Sequence, residues 1–518
     1  MPLETIRTLA GNLLAGTARP DRLARVPFQM TRYGAVPAVV GAMSALRFPH
    51  RVALIDERGT LTFAELERKA AALATALRDS VTGDGRIGVL ARNHRGFVLA
   101  VLGLSRLGHD VVLLNTDFSA PQLGAVADRE GIALLLHDAE FDELVDASGF
   151  AGVRVHSYGD AQLGSLIEDV EPVPFSPERP GRLVIMTSGT TGTPKGARHD
   201  YSLPALLAGG LSFARRAPMR SGSPVVVAPP LFHVLGFGFL MMGLALGSPV
   251  VLAPRFDPAA TLAAIERHEA GTLVAVPIML QRMLDVPYGP RPMSLRTVLC
   301  GGSALLPHLS ERFMDEFGDV LRNLYGATET GWAAIATPED LRAAPGTVGR
   351  PSLGIKVKIL DADGRELPAG ETGEIFTGGG LRFSGYTGGG GKDVRNGLTA
   401  TGDLGHLDAS GRLFVDGRAD DMIVSGGENV FPGEVEDLLN RHEDVAEVTV
   451  TGVPDDTFGE RLAAHVVLVP GAATTADDLR DYVRQRLARF KVPRDIVFVP
   501  ELPRTSTGKV RRRSLPDA

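Results

Sequence analysis

Met186-Thr187-Ser188-Gly189-Thr190-Thr191-Gly192-Thr193-Pro194-Lys195-Gly196 decides how this chain is read. Leu183, Val184 and Ile185 precede it, a short apolar run that predicts a buried strand emptying into a loop. The glycines let backbone N–H groups turn inward, the hydroxyls of Thr187, Ser188, Thr190 and Thr191 add donors, and Lys195 adds a charge. Such a set suits a polyphosphate. It is not a Walker A loop: Pro194 precedes the lysine, Gly196 follows it, and the required spacing is absent.

On both sides of this loop, strand and helix patterns alternate. Thr62 and Glu65 predict a capping box, with Leu66, Ala70, Leu73 and Leu77 on one helical face behind it. Further on, 86–90, 110–114 and 132–136 read as strands, and 96–107 and 121–130 as helices. The pattern predicts an α/β fold with parallel sheets covered by helices, in which a phosphate loop belongs at the C-terminal end of a strand. The remaining segments extend this to strands at 273–276, 297–299, 357–360, 374–376 and 413–415. Past residue 420, 435–441 and 476–490 read as helices and 447–451, 464–469 and 496–499 as strands of a smaller α/β unit.

With 518 residues the chain exceeds one core and predicts at least two domains. A net charge of −7 argues against a nucleic-acid partner, and a single cysteine, Cys300, excludes an internal disulfide framework and fits a reducing cytoplasm. Residues 9–14 are too short and too interrupted for a secretory segment. Residues 221–254 lack Asp, Glu, Lys and Arg, but prolines leave only 234–246 unbroken, short of the roughly 20 residues a membrane span needs. No transmembrane segment is expected, and the stretch reads as the wall of an apolar pocket.

The loop at 186–196 closely resembles the phosphate loop of the acyl-adenylate-forming (AMP-binding) superfamily, which includes acyl-CoA synthetases, luciferases and peptide-synthetase adenylation domains. Further motifs follow in that family's order. Gly301-Gly302-Ser303-Ala304 resembles the loop against which the family lays adenine, and Asn323-Leu324-Tyr325-Gly326-Ala327-Thr328-Glu329 resembles its Tyr-Gly-x-Thr-Glu motif. The resemblance implies that Tyr325 stacks on adenine, Thr328 contacts phosphate, and Glu329, with Thr187, holds Mg²⁺. It further implies that Asp403 of Thr401-Gly402-Asp403 binds the ribose hydroxyls and that Arg418 contacts ribose and phosphate. Asp420 becomes the hinge between a large N-terminal domain, 1–419, and a small mobile C-terminal domain, 420–518. Lys509, in Leu502-Pro503-Arg504-Thr505-Ser506-Thr507-Gly508-Lys509, would reach the carboxylate and α-phosphate.

By the same resemblance His233 gates an acyl pocket bordered by Phe237, Gly238, Gly302 and Trp332, and Ser425, Gly426 and Gly427 line the path of CoA. Phe237, Gly238, Phe239 and Met241 form an apolar wall without a cation, which favours a fatty or aromatic acid over an amino acid. The wording of the chain is most like bacterial fatty-acyl-CoA synthetases. The implied substrates are ATP, a carboxylic acid and CoA. The same ATP residues would serve another acceptor, such as a carrier-protein thiol, an amine, or nitrite activated for diazotisation. Gly388–391 followed by Lys392 reads as a surface turn. A homodimer is one assembly the sequence leaves open.

Overall fold

The computed structural model describes residues 26–517 except 35, 82, 159–162, 175, 188–194, 201–202, 288, 290–291, 380–381, 388, 426–427 and 456–458. Three sheets organise these residues. In the first, of fourteen strands, six run parallel in the order 52–56, 250–251, 225–227, 272–275, 297–301 and 321–327. The sheet turns antiparallel at Gly331–Ala336 and continues through 347–351, 413–418, 398–407, 373–378 and 356–360. The second sheet has seven strands, of which 153–158, 132–138, 86–90, 111–113 and 183–187 are parallel. Its last two, 195–200 and 382–386, are antiparallel additions.

The helix Arg95–Leu104 explains how the first two sheets hold together. Every residue from Gly96 to Leu104 is buried, so this helix presents apolar side chains on all sides. A helix apolar all round belongs inside, and each fully buried Val, Leu or Phe contributes about 1.5–3 kcal/mol. One continuous core draws Phe97 and Leu102 of this helix together with Leu273, Leu299 and Leu324 of the first sheet and Ile87, Leu134 and Ile185 of the second.

The predicted helices and strands form, with shifted ends. Thr62 and Glu65 close the capping box at Phe63–Ala76. The helix expected over 476–490 stops at Arg484, followed by a short 3-10 turn at Arg489–Lys491. Within the lead-in 1–50, Pro37–Arg47 is a helix that the sequence pattern does not predict, with Ala38, Val39 and Ala42 buried. Residues 9–14 lie outside the described residues. Among the described residues no helix is long and apolar enough to cross a membrane, and 234–245 is a helix packed in the core.

The third sheet, five strands from Ile423 onward, carries the helices Pro432–Asn440 and Ala476–Arg484 and its own apolar core around Val435, Val450, Leu462 and Leu479. It meets the larger part of the molecule through polar contacts. His308 Nδ1 lies 2.9 Å from Asp437 Oδ1, and Gln281 Nε2 donates to the Ala446 carbonyl at 2.7 Å. Cys300 is wholly buried in the large core, where desolvation pushes its thiol up, so it is no nucleophile.

Candidate active site

Parallel strands point their C-terminal ends the same way, and the motif residues sit at those ends. Thr187 terminates one strand, Gly301 another, and Tyr325-Gly326-Ala327 a third. Of the phosphate loop, Thr187, Lys195 and Gly196 fall on described backbone, whereas Ser188, Gly189, Thr190, Thr191 and Gly192 lie outside the described residues. So do Gly426 and Gly427 of the proposed CoA path; Ser425 ends the strand Ile423–Ser425.

The structure brings distant motifs into one cleft. The Tyr325 hydroxyl donates to Asp403 Oδ2 at 2.6 Å, although 78 residues separate them. Asp403 sits in the strand Leu398–Leu407, where Gly402 has φ +82°, rather than in a solvated turn. Burial raises the Asp403 carboxyl, opposed by the Tyr325 hydroxyl and by the charges of Arg418, Lys392 and Lys509. Arg418 lies 3.5 Å from Asp403 Oδ1, and its Nε donates to Asp420 Oδ1 at 2.9 Å. A planar guanidinium between two carboxylates is held in orientation for a third anion.

Lys509 stands among these groups. Solvent reaches it, yet protein surrounds it enough that desolvation, then the charge of Arg418, pulls its ammonium below the ordinary lysine range. The carboxylates of Asp403, Glu329 and Asp421 oppose that shift, so they share its field. Glu329 is half-buried and accepts the Tyr386 hydroxyl on Oε1 at 2.7 Å. Lys195 Nζ sits 5.4 Å from the centre of the Tyr386 ring, within cation–π range. The site therefore gathers Lys195, Arg418 and Lys509 as cations, with Asp403 and Glu329 as the carboxylates between them.

Asn323 is buried at 3 % exposure, and its amide donates to the Thr347 carbonyl at 3.4 Å. Ser303 is half-buried, and Gly302 and Ala304 are exposed at the strand end. Gly302 has φ +87°, and a Cβ there would meet only Val276 and Leu235 at 3.4 and 3.8 Å, which leaves a flat floor. Thr328 is half-buried beside Gly326 and Ala327.

His233 caps the helix Val234–Ala245 without a side-chain cap bond, and its Nε2 is buried with no hydrogen-bond partner among the described residues. Burial, then the charge of Lys509, lowers it to about 3, with Asp117 opposing. The ring is thus neutral at physiological pH. The loop before it is fixed by Asn93, whose amide donates to the Pro229 carbonyl at 2.9 Å and accepts from Leu231 N–H at 2.8 Å. Since an unfolded histidine titrates near 6.5, the unfolded chain binds more protons than the fold between about pH 6.5 and 3, and stability falls as pH drops through that window. His233→Gln should flatten the pH dependence of the unfolding midpoint there. Identical slopes for variant and parent would contradict this.

Behind His233 the apolar wall needs one correction. Phe239 is fully buried and packs its ring against Phe213 at 5.5 Å, so it is core rather than lining. Phe237 is buried at 7 % exposure, and Met241 packs against the core. Trp332 is half-buried, 5.3 Å from the Phe213 and Phe239 rings, with Cζ2 3.1 Å from where a Cβ on Gly238 would lie. Its indole therefore closes over Gly238.

Sequence reading missed Tyr386. Residues 389–391 are exposed next to a turn closed by Gly389 N–H on the Tyr386 carbonyl, and Lys392 Nζ after them donates to the Thr401 carbonyl at 3.2 Å, beside Asp403. The available signal was an aromatic hydroxyl and a lysine on either side of a glycine run, 388–391, just before the Thr-Gly-Asp strand.

Comparison with known proteins gives the family and the fold. Residues 42–387 match the AMP-binding enzyme family and 434–509 match the AMP-binding enzyme C-terminal domain. The indoleacetate–CoA ligase of Aromatoleum aromaticum is 32% identical over 487 residues, covering 90% of this chain and 94% of that protein. The 2-succinylbenzoate–CoA ligase of Geobacillus kaustophilus is 35% identical over 475 residues, covering 90% and 95%. The o-succinylbenzoate CoA synthetase from Bacillus subtilis, solved with its acyl-adenylate intermediate OSB-AMP, is 31% identical, with a TM-score of 0.82 over 92% of this chain and 98% of that one. The same enzyme with ATP and magnesium ion gives 0.81 over 92% and 99%. The chain belongs to the AMP-binding enzyme family, has the fold of its adenylate-forming acyl-CoA synthetases, and groups with the AMP-forming acid–thiol ligases.

Proposed function

We propose that this protein adenylates an aromatic carboxylic acid with ATP and passes the acyl group to the thiol of CoA. The observation that carries this reading is the convergence of Lys509, Arg418, Asp403 and Glu329 in one electrostatic cluster, with the Trp332 indole packed over Gly238 nearby in sequence. In the first step a carboxylate oxygen attacks the α-phosphorus of ATP and pyrophosphate leaves. In the second the CoA sulfur attacks the acyl carbonyl, its proton is lost, and AMP leaves.

Two anions repel each other in the first step, and charge builds on the phosphoryl oxygens. Lys509 and Arg418 answer that charge, while Asp403 takes the ribose hydroxyls and Tyr325 offers its ring face to adenine. Mg²⁺ fits the donor set, because Glu329 keeps Oε2 outside its bond to Tyr386 and an ion on phosphates needs only one or two protein carboxylates. Bound there, it would neutralise phosphate charge. By the family resemblance, Thr187 and the loop after it would bind the phosphates, and Ser425, Gly426 and Gly427 would border the CoA path.

The aromatic acid follows from the relatives' indoleacetate and 2-succinylbenzoate substrates together with the Trp332, Phe237 and Gly238 wall. ATP–pyrophosphate exchange across aryl and fatty acids, followed by acyl-CoA detection with CoA present, tests it. Aryl acids should give the highest turnover, and preference for long-chain fatty acids would overturn the substrate assignment.

Asp420 is the proposed hinge between domains 1–419 and 420–518. Next to it, Asp421 N–H donates to the Arg418 carbonyl. Asp420→Pro, which fixes φ near −65°, should slow thioester formation about tenfold more than pyrophosphate release. Equal rates for both steps in variant and parent would remove the hinge.

A further inference from the structure

Asp117 lies 389 residues before the segment it touches and outside every nucleotide motif. It follows the strand Val111–Leu113 in a turn fixed from within, since its own N–H donates to Asn115 Oδ1 at 2.8 Å and the next residue, Phe118, is buried. The receiving carboxylate is therefore in place before anything docks on it.

Across the cleft, Ser506 N–H donates to Asp117 Oδ2 at 2.6 Å, and the Arg511 guanidinium stands 3.4 Å from the same oxygen. A backbone N–H on a carboxylate is a charge-assisted bond, about twice as strong as a neutral one. The segment so held is closed on itself. Thr505 N–H donates to the Lys509 carbonyl and Gly508 N–H to the Thr505 carbonyl, both at 2.8 Å, and Arg504 Nη1 reaches the Gly508 carbonyl at 2.8 Å. Fixing Ser506 therefore fixes Lys509, three residues on. The other side of the loop is seated sterically: Gly508, at φ +81°, lies so close to the helix Pro277–Leu284 that a Cβ would come within 2.4 Å of Ile278 Cγ2. Other polar contacts between the two parts among the described residues, such as His308–Asp437, Gln281–Ala446 and Arg441–Glu311, touch the small unit away from this loop.

We propose that Asp117 is a positioning residue that captures the 504–511 loop through Ser506 N–H and Arg511 and thereby places Lys509 over the reacting phosphate. This rests on the assignment of Lys509 to acyl-adenylate formation. Among the described residues Asp117 has no hydrogen bond to a nucleotide motif; its charge also reaches His233, so the part of its effect that runs through the lysine is the part lost when Lys509 is absent. It belongs to the first half-reaction alone.

The test is a double-mutant cycle on the full-length protein, reading acyl-adenylate formation in single turnover and, separately, thioester formation from supplied acyl-adenylate and CoA. Asp117→Ala should slow adenylation about tenfold to a hundredfold, the range for losing a charged hydrogen bond. Asp117→Asn, which keeps an acceptor oxygen, should lose less. Thioester formation should stay within about twofold, and Asp117→Ala added to Lys509→Ala should cost nothing further. An undiminished adenylation rate in Asp117→Ala, the same fold-loss with Lys509 absent, or equal loss of both half-reactions would overturn the proposal. Lys509→Ala with unchanged adenylation would instead remove the assignment beneath it. Should Asp117→Ala fail to fold, Arg511→Ala supplies the reading: a smaller loss confined to adenylation supports the seat, and no loss beside an unchanged Asp117→Asn overturns it.

Discussion

Lys509→Ala is expected to slow acyl-adenylate formation by about 10²–10³, the cost of removing one preorganised group that meets developing charge. The cleft gives the physical reason. Lys509 shares its field with Arg418, Asp403 and Glu329, and desolvation with the Arg418 charge pulls its ammonium below the ordinary lysine range, a shift that an incoming anion would oppose. The second half-reaction needs the thiol, not this lysine, so thioester formation from supplied acyl-adenylate should persist. Single-turnover rates of the two steps, measured separately, check the division. Equal loss in both would contradict it.

Glu329→Gln carries the other large effect. The amide keeps the shape of the carboxylate and can still accept from the Tyr386 hydroxyl, so the variant isolates the charge. Adenylation should fall by about 10²–10³, with half-saturation shifted to higher magnesium. Tyr386→Phe removes one neighbouring bond, worth about 0.5–1.5 kcal/mol, and should cost only about tenfold or less. A magnesium titration of the initial rate reads both. A Glu329→Gln enzyme with the parent's rate and half-saturation would show that the carboxylate faces no metal.

How much of this was legible beforehand depends on range. Local signals read well: the capping box of Thr62 and Glu65 forms as written, and apolar runs such as 183–185 become buried strands. Helix ends read poorly where propensity outlasts packing, as past Arg484, where residues 485–490 are exposed apart from Leu487, which packs on the small core. At the site, residues inside a motif were visible because glycine and hydroxyl spacing carries its own geometry. Tyr386, Lys392 and Asp117 were not, because each acts through a partner fixed only by the fold: Glu329, Thr401 and Ser506. Phe239 shows the converse, since an aromatic beside a pocket motif looks like lining until Phe213 and Trp332 cover it.

The strongest single check is the fate of ATP. Purified protein given ATP, magnesium, an aryl carboxylic acid and CoA should release AMP and pyrophosphate in equal amounts, matched one for one by acyl-CoA, with neither product formed when the acid is left out. Formation of ADP and inorganic phosphate, or AMP release indifferent to the acid, would contradict attack at the α-phosphorus and with it the roles given to Lys509, Arg418 and Glu329.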